Sequence, residues 1–185
     1  SRARFGTAVR PHNMDFPLRP GERASICWHN EGRWFEVTEK DRRAIPLAKI
    51  PPYFGNGAII YQPTGEGEAT ALDNMEVGVT GGGSPLLRAQ APAQAATLIY
   101  RAECPYILSD CRVSGAYSAE GAGAVSLSLS FDEGESWAEV WRSSSASGQI
   151  AADLLEHVTA RYAYWLRLEL AAGKEVELEL DVQQR

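Results

Sequence analysis

Over residues 124–141 the chain reads AVSLSLSFDEGESWAEVW, and the first half alternates without a break. Val125, Leu127, Leu129 and Phe131 fall on one side, Ser126, Ser128 and Ser130 on the other. Successive side chains of an extended strand point to opposite faces, so this is a strand with one buried face. Two later segments repeat the pattern. In 161–170 the inward set is Tyr162, Tyr164, Leu166, Leu168 and Leu170. In 175–182, Val176, Leu178, Leu180 and Val182 alternate with Glu175, Glu177, Glu179 and Asp181. Antiparallel sheets with one wet face carry this signature. No stretch keeps apolar residues at i, i+3, i+4 and i+7 for more than about two turns, as an amphipathic helix requires. The expected fold is all-β, an antiparallel β-sandwich or jelly roll.

Regular alternation begins at residue 96, which divides the chain into a sandwich over 96–185 and an N-terminal arm over 1–95. The arm is expected to hold a β-hairpin and to pack on the sandwich. Its two strands are 23–28 and 33–37, joined by the turn Asn30-Glu31-Gly32, so that Trp28 and Trp34 meet across them. Residues 63–92, rich in Gly, Ala, Pro and Thr, read as a long connection with one edge strand, Met75–Val79. Pro105 is expected to end the strand that starts near Thr97. Residues 153–157 read as a single helical turn.

Charge narrows the partners. The 185 residues carry a formal net charge of −6 with both signs interspersed. A diffuse acidic surface argues against nucleic acid or an anionic membrane as the main partner. No apolar run approaches the roughly 20 residues that a membrane helix needs. The opening SRARFGTAVRP lacks an apolar leader core, so a piece of a larger protein, or a mature chain with its leader removed, is expected. With no βαβ alternation, GxGxxG or P-loop, a nucleotide-binding enzyme is excluded. The three cysteines are Cys27, Cys104 and Cys111. Cys104 and Cys111 read as buried thiols on adjacent strands. No CxxC or histidine cluster accompanies them to bind zinc, and no cofactor is expected.

Within the turn of the organising hairpin, Asp132, Glu133 and Glu135 are close enough to hold calcium. The competing reading is structural. Ser130 and Asp132 satisfy turn N–H groups, Gly134 takes a backbone conformation other residues resist, and Trp137 packs beneath in the core. The structural reading is the one adopted, with no metal. Of the five tryptophans, Trp165 stands out: alternation places it on the face lined by Arg161, Arg167 and Glu169. An indole between two arginines suits stacking on a sugar ring with hydrogen bonds beside it, and it also suits packing beneath the N-terminal arm. Trp165, Arg167, Arg161, Trp28 and Trp34 are the candidate ligand contacts. His12, His29 and His157 read as surface residues. The 24 acidic residues single out no pair for glycoside hydrolysis, and no GxSxG or Cys–His signature is present.

The run Ser130-Phe-Asp-Glu-Gly-Glu-Ser-Trp137 resembles an Asp-box, S-x-D-x-G-x-[ST]-W, a hairpin motif of sialidases and other secreted β-rich proteins of carbohydrate metabolism. With DFPLRPGE at 15–22, PPYFGNG and IIYQP at 51–63, and ECPYIL at 103–108, most of the chain resembles an Asp-box-containing β-sandwich accessory domain of large bacterial exported proteins. The resemblance implies an extracellular or periplasmic module with neighbouring domains in its parent chain and no assigned catalytic residues. Asp-boxes usually lie away from active sites. The leading expectation is a non-catalytic module that binds carbohydrate. The alternatives are a structural or protein-interaction module, or a small jelly-roll enzyme acting on polysaccharide.

Overall fold

The alternating segments pair into two antiparallel sheets in the computed structural model, which describes residues 18–27, 56–64, 67, 70–108 and 110–184. In chain order the strands are β1 (Glu22–Cys27), β2 (Asn56–Tyr61), β3 (Thr70–Asp73), β4 (Met75–Val79), β5 (Pro85–Ala89) and β6 (Ala96–Leu108). They continue with β7 (Cys111–Ala119), β8 (Val125–Ser130), β9 (Ala138–Arg142) and β10 (Ser147–Asp153). A single helical turn, α1 (Leu155–Val158), leads into β11 (Arg161–Leu170) and β12 (Val176–Gln184). One sheet has five strands in the order β3-β6-β11-β8-β9. The other has seven and is built around β12. Along one edge β12 pairs with β7 over its whole length; along the other it pairs with β5 at Leu178 and with β2 over 182–184. Gly115 permits the β7 contact, since a Cβ there would lie 2.0 Å from the Glu179 carbonyl oxygen.

The inward sets of both sheets meet in one core. Leu98, Leu127, Leu166 and Leu168 face Leu87, Leu178, Leu180 and Val182, none more than 2% exposed. Burying each such side chain stabilises the fold by about 1.5–3 kcal/mol. Tyr162 and Phe131 depart from the expected inward set, at 55% and 40% exposed. Tyr162 is the second residue of β11, and Phe131 directly follows the last residue of β8.

One line of polar groups crosses this apolar interior. Tyr61 and Tyr100 stack face to face, with ring centres 3.8 Å apart. The Tyr100 hydroxyl donates to Glu22 Oε1 at 2.7 Å, and Gln184 Nε2 donates to the Tyr100 oxygen at 3.2 Å. Tyr164 donates to Gln184 Oε1 at 3.2 Å. A hydroxyl has one hydrogen, so the 3.1 Å contact between Cys111 and Tyr164 is made by the thiol as donor. The chain of donors ends on the Glu22 carboxylate, which also accepts from the Arg19 guanidinium at 2.5 and 3.1 Å and from the Arg19 N–H at 2.9 Å. Burial alone would raise the Glu22 pKa, but these donors outweigh it and hold it below the ordinary value. Burial pushes the Cys111 thiol up to about 12. Cys104 and Cys111 are both free thiols.

Two further expectations are corrected. Residues 63–92 hold three strands, β3, β4 and β5, where the alternation marked one. The turn between β4 and β5 closes through Thr80 N–H to Ser84 O at 2.8 Å and Gly83 N–H to Thr80 O at 2.9 Å. Pro105 does not end β6. The register jumps there from Ala163↔Glu103 to Arg161↔Leu108, and the extra β6 residues absorb the missing N–H in a bulge. Among the described residues β1 pairs with β2, from Glu22↔Tyr61 to Cys27↔Asn56. Residues 33–37, Trp28 and Trp34 lie outside the described residues.

Candidate functional site

Alternation turns the odd-numbered residues of β11 away from the core, and register decides their neighbours. Trp165 lies between Arg101 on β6 and Ser130 on β8; Arg167 lies between Ile99 and Ser128. β3 adds Ala71 beside Ile99, and β9 adds Glu139 beside Ser128. Ser126, Ser128 and Ser130 are buried on this outer face because their small side chains sit among long ones on β11 and β9.

The turn after β8 builds one wall. Ser130 Oγ donates to Asp132 Oδ1 at 2.7 Å and accepts the Gly134 N–H at 2.9 Å. Asp132 in turn accepts the Ser136 N–H at 2.9 Å and the Ser136 hydroxyl. Hydrogen bonds from the Ser136 hydroxyl, then its N–H, then Ser130 hold the Asp132 carboxyl down to about 2. Glu133 and Gly134 both take left-handed backbone, at φ +63° and +89°. That reversal folds the turn back over the sheet. A Cβ on residue 134 would stand 3.4 Å from the Trp137 ring and 3.6 Å from the Trp165 ring, in ordinary contact with both, so it is the left-handed backbone and not the space that calls for glycine here.

Trp137 is thereby removed from the core where the sequence placed it. It is half-buried on the outer face, and the Arg167 guanidinium lies over its ring at 4.5 Å. Arg167 Nε is buried with no hydrogen-bond partner among the described residues. The result is a shallow groove of about 320 Å³, lined by Ala71, Ile99, Arg101, Glu133, Gly134, Trp137 and Trp165. Its floor is apolar and aromatic; its charged groups stand at the sides. Arg101 keeps donors free beyond its 3.2 Å contact with Glu103. Such a surface stacks against a flat apolar face and hydrogen-bonds the polar rim around it.

Of the residues nominated from sequence, Trp165 and Arg167 come together here. Arg161 does not join them: its guanidinium lies 3.7 Å over the Phe131 ring, and its Nε donates to the His157 carbonyl at 3.1 Å. Trp28 and Trp34 lie outside the described residues. Sequence reasoning missed Ala71, Ile99 and Arg101, and weighed Glu133 only as a calcium contact. The parity of β6 carried a signal for Ile99 and Arg101, but register with β11 was needed to use it. Among the described residues, no group of three or more His, Cys, Asp or Glu side chains is arranged to hold a metal ion. Among the same residues, no helix is long and apolar enough to cross a membrane.

No family model and no curated protein matches this chain. Solved structures do. A family 29 carbohydrate-binding module is 13% identical, with 69% of this chain and 88% of that one covered at a TM-score of 0.45. A family 61 carbohydrate-binding module in complex with β-1,4-galactotriose is 11% identical, with 62% and 88% covered at 0.41. A Podospora anserina β-(1,4)-mannanase with a family 35 carbohydrate-binding module is 10% identical, with 68% and 27% covered at 0.42.

Proposed function

We propose that this chain is a non-catalytic carbohydrate-binding module, an accessory domain of a larger exported protein, whose ligand lies against Trp165. The supporting observation is the groove on the outer face of the five-stranded sheet. It combines a half-buried indole floor, aliphatic Ile99 and Ala71 beside it, and the guanidinium of Arg101 at its flank. A pyranose ring offers C–H groups on its faces and hydroxyls around its rim, which matches that layout. On this reading Ser130, Asp132, Gly134 and Trp137 form an Asp-box turn that holds one wall in place.

A glycan-array screen of wild type beside Trp165→Ala, with calcium and with EDTA, tests the proposal. Binding to one glycan class that vanishes in Trp165→Ala supports the groove, and the EDTA arm reports any metal dependence. Binding that survives in the variant moves the site elsewhere, with Trp28 and Trp34 next to test. Folded wild type that binds no glycan overturns the reading. A second groove, of about 460 Å³, lies beside Val77, Gly78, Val79 and Pro85, and Val79 is 75% exposed. Lacking aromatic rings, it favours the alternative of a protein-interaction module.

A further inference from the structure

We infer that Glu133 is a specificity-determining contact that restricts the groove to uncharged saccharides. The inference rests on the carbohydrate reading of the Trp165 groove and names the ligand class.

Glu133 sits where its residue type is disfavoured. At φ +63° it is a non-glycine residue in left-handed backbone, the first of two such positions in the turn. Side chains with a Cβ resist this conformation, and glycine or asparagine is the ordinary choice. The turn does not use the carboxylate. Asp132, Ser130 and Ser136 make its hydrogen bonds. Among the described residues Glu133 has no hydrogen-bond or ion-pair partner. Glu133 nonetheless lines the groove with Trp165.

Register fixes what lies across from it. Trp165 is flanked by Arg101 on the β6 side and by Ser130 on the β8 side, where the Glu133 turn begins. A ring stacked on the indole then has the donor-only Arg101 guanidinium on the β6 side and, on the β8 side, the turn that carries the acceptor-only Glu133. Hydroxyls accept from the first and donate to the second. A carboxylate-bearing sugar satisfies Arg101 but brings a like charge toward Glu133, which disfavours binding. Arg167 does not reverse this balance, because its guanidinium is laid over Trp137 and does not line the groove.

The test is affinity electrophoresis in native gels containing hydroxyethylcellulose, xylan, β-1,4-galactan, galactomannan or polygalacturonate. Wild type, Glu133→Gly, Glu133→Gln and Trp165→Ala are run side by side, with thermal midpoints measured for each. Wild type is expected to be retarded by at least one of the neutral polymers and not by polygalacturonate. Glu133→Gly is expected to weaken that retardation at least tenfold while its thermal midpoint stays level or rises. Glu133→Gln keeps part of the neutral binding and loses the exclusion of polygalacturonate. Retardation lost in Trp165→Ala but unchanged in Glu133→Gly overturns this inference and leaves the carbohydrate reading standing. Preferential retardation of wild type by polygalacturonate also overturns it. Folded wild type that no polymer retards overturns the carbohydrate reading and the inference with it.

Discussion

The two faces of β11 follow different rules. Inward, Tyr164, Leu166, Leu168 and Leu170 are all but inaccessible, and apolar burial accounts for each of them. Outward, Trp165, Arg167 and Glu169 are half-buried, and core packing explains none of them. From Tyr164 onward the inner face follows the period of two, and the strand needs no particular neighbour for that pattern to be read. The outer face is made by what neighbouring strands and one turn bring to it. The contrast separates the residues that make the sheet from those that give it a working surface.

The sharpest way to break that separation is to truncate adjacent residues on opposite faces. Leu166→Ala should cost about 2–5 kcal/mol, since it leaves a cavity in a core with little freedom to collapse. Chemical denaturation gives the value, and the still-folded fraction of the variant should bind ligand as wild type does. Trp165→Ala should do the reverse, with a smaller loss of stability and loss of binding. If both variants failed in the same way, the two faces would not be independent.

Glu22 sharpens the comparison from inside. It is the terminus of the polar line through the core, and it ties Arg19 and β1 to Tyr100 of the opposite sheet. Replacing it with Gln removes charged hydrogen bonds and should cost about 1–3 kcal/mol at neutral pH. The acid limb gives an independent readout. The folded pKa of Glu22 lies below its unfolded value of about 4.3, so its contribution is fully present above that pH. The contribution falls away as pH drops through the folded value. Glu22→Gln should therefore flatten the loss of stability below about pH 4. An unchanged acid limb in the variant would assign acid sensitivity to other carboxylates.

How far these faces were legible in sequence follows from the same contrast. The inner faces of β8, β11 and β12 were readable because a period of two needs no partner to be recognised. Tyr162 and Phe131 broke that reading because alternation says nothing about where along a strand burial ends. β3, β4 and β5 were largely hidden, because short strands broken by glycine and proline have too few repeats to show a period. Trp165 was found by parity, yet its companions Ala71, Ile99 and Arg101 come from strands whose register no local pattern records. Trp137 was misplaced for a related reason. Its position depends on the left-handed backbone at Glu133 and Gly134, and a glutamate does not announce that conformation.

Gly134 tests whether the turn or the sheet positions the outer face. Gly134→Ala forces a Cβ into left-handed backbone, at about 1–2 kcal/mol, in a turn that touches both indoles. If the turn positions Trp137, the tryptophan fluorescence of the variant should shift and binding should weaken. A spectrum and affinity identical to wild type would mean that the sheet alone sets the indoles.

The smallest effect belongs to Asp132, and it separates turn from sheet most finely. Its carboxyl is fully exposed, so its hydrogen bonds to Ser136 and Ser130 hold a loop together and add little to the core. With its pKa lowered to about 2, its ordering of the turn is complete above its unfolded value of about 4 and is lost only as pH falls through about 2. Asp132→Ala should reproduce that loss at neutral pH. Amide exchange should quicken at Ser136, whose N–H then lacks its acceptor, while the β8–β11 amides keep their protection. Loss of protection along β8 as well would make the turn part of the sheet's own stability, and the division between the two faces of β11 would then run through β8 too.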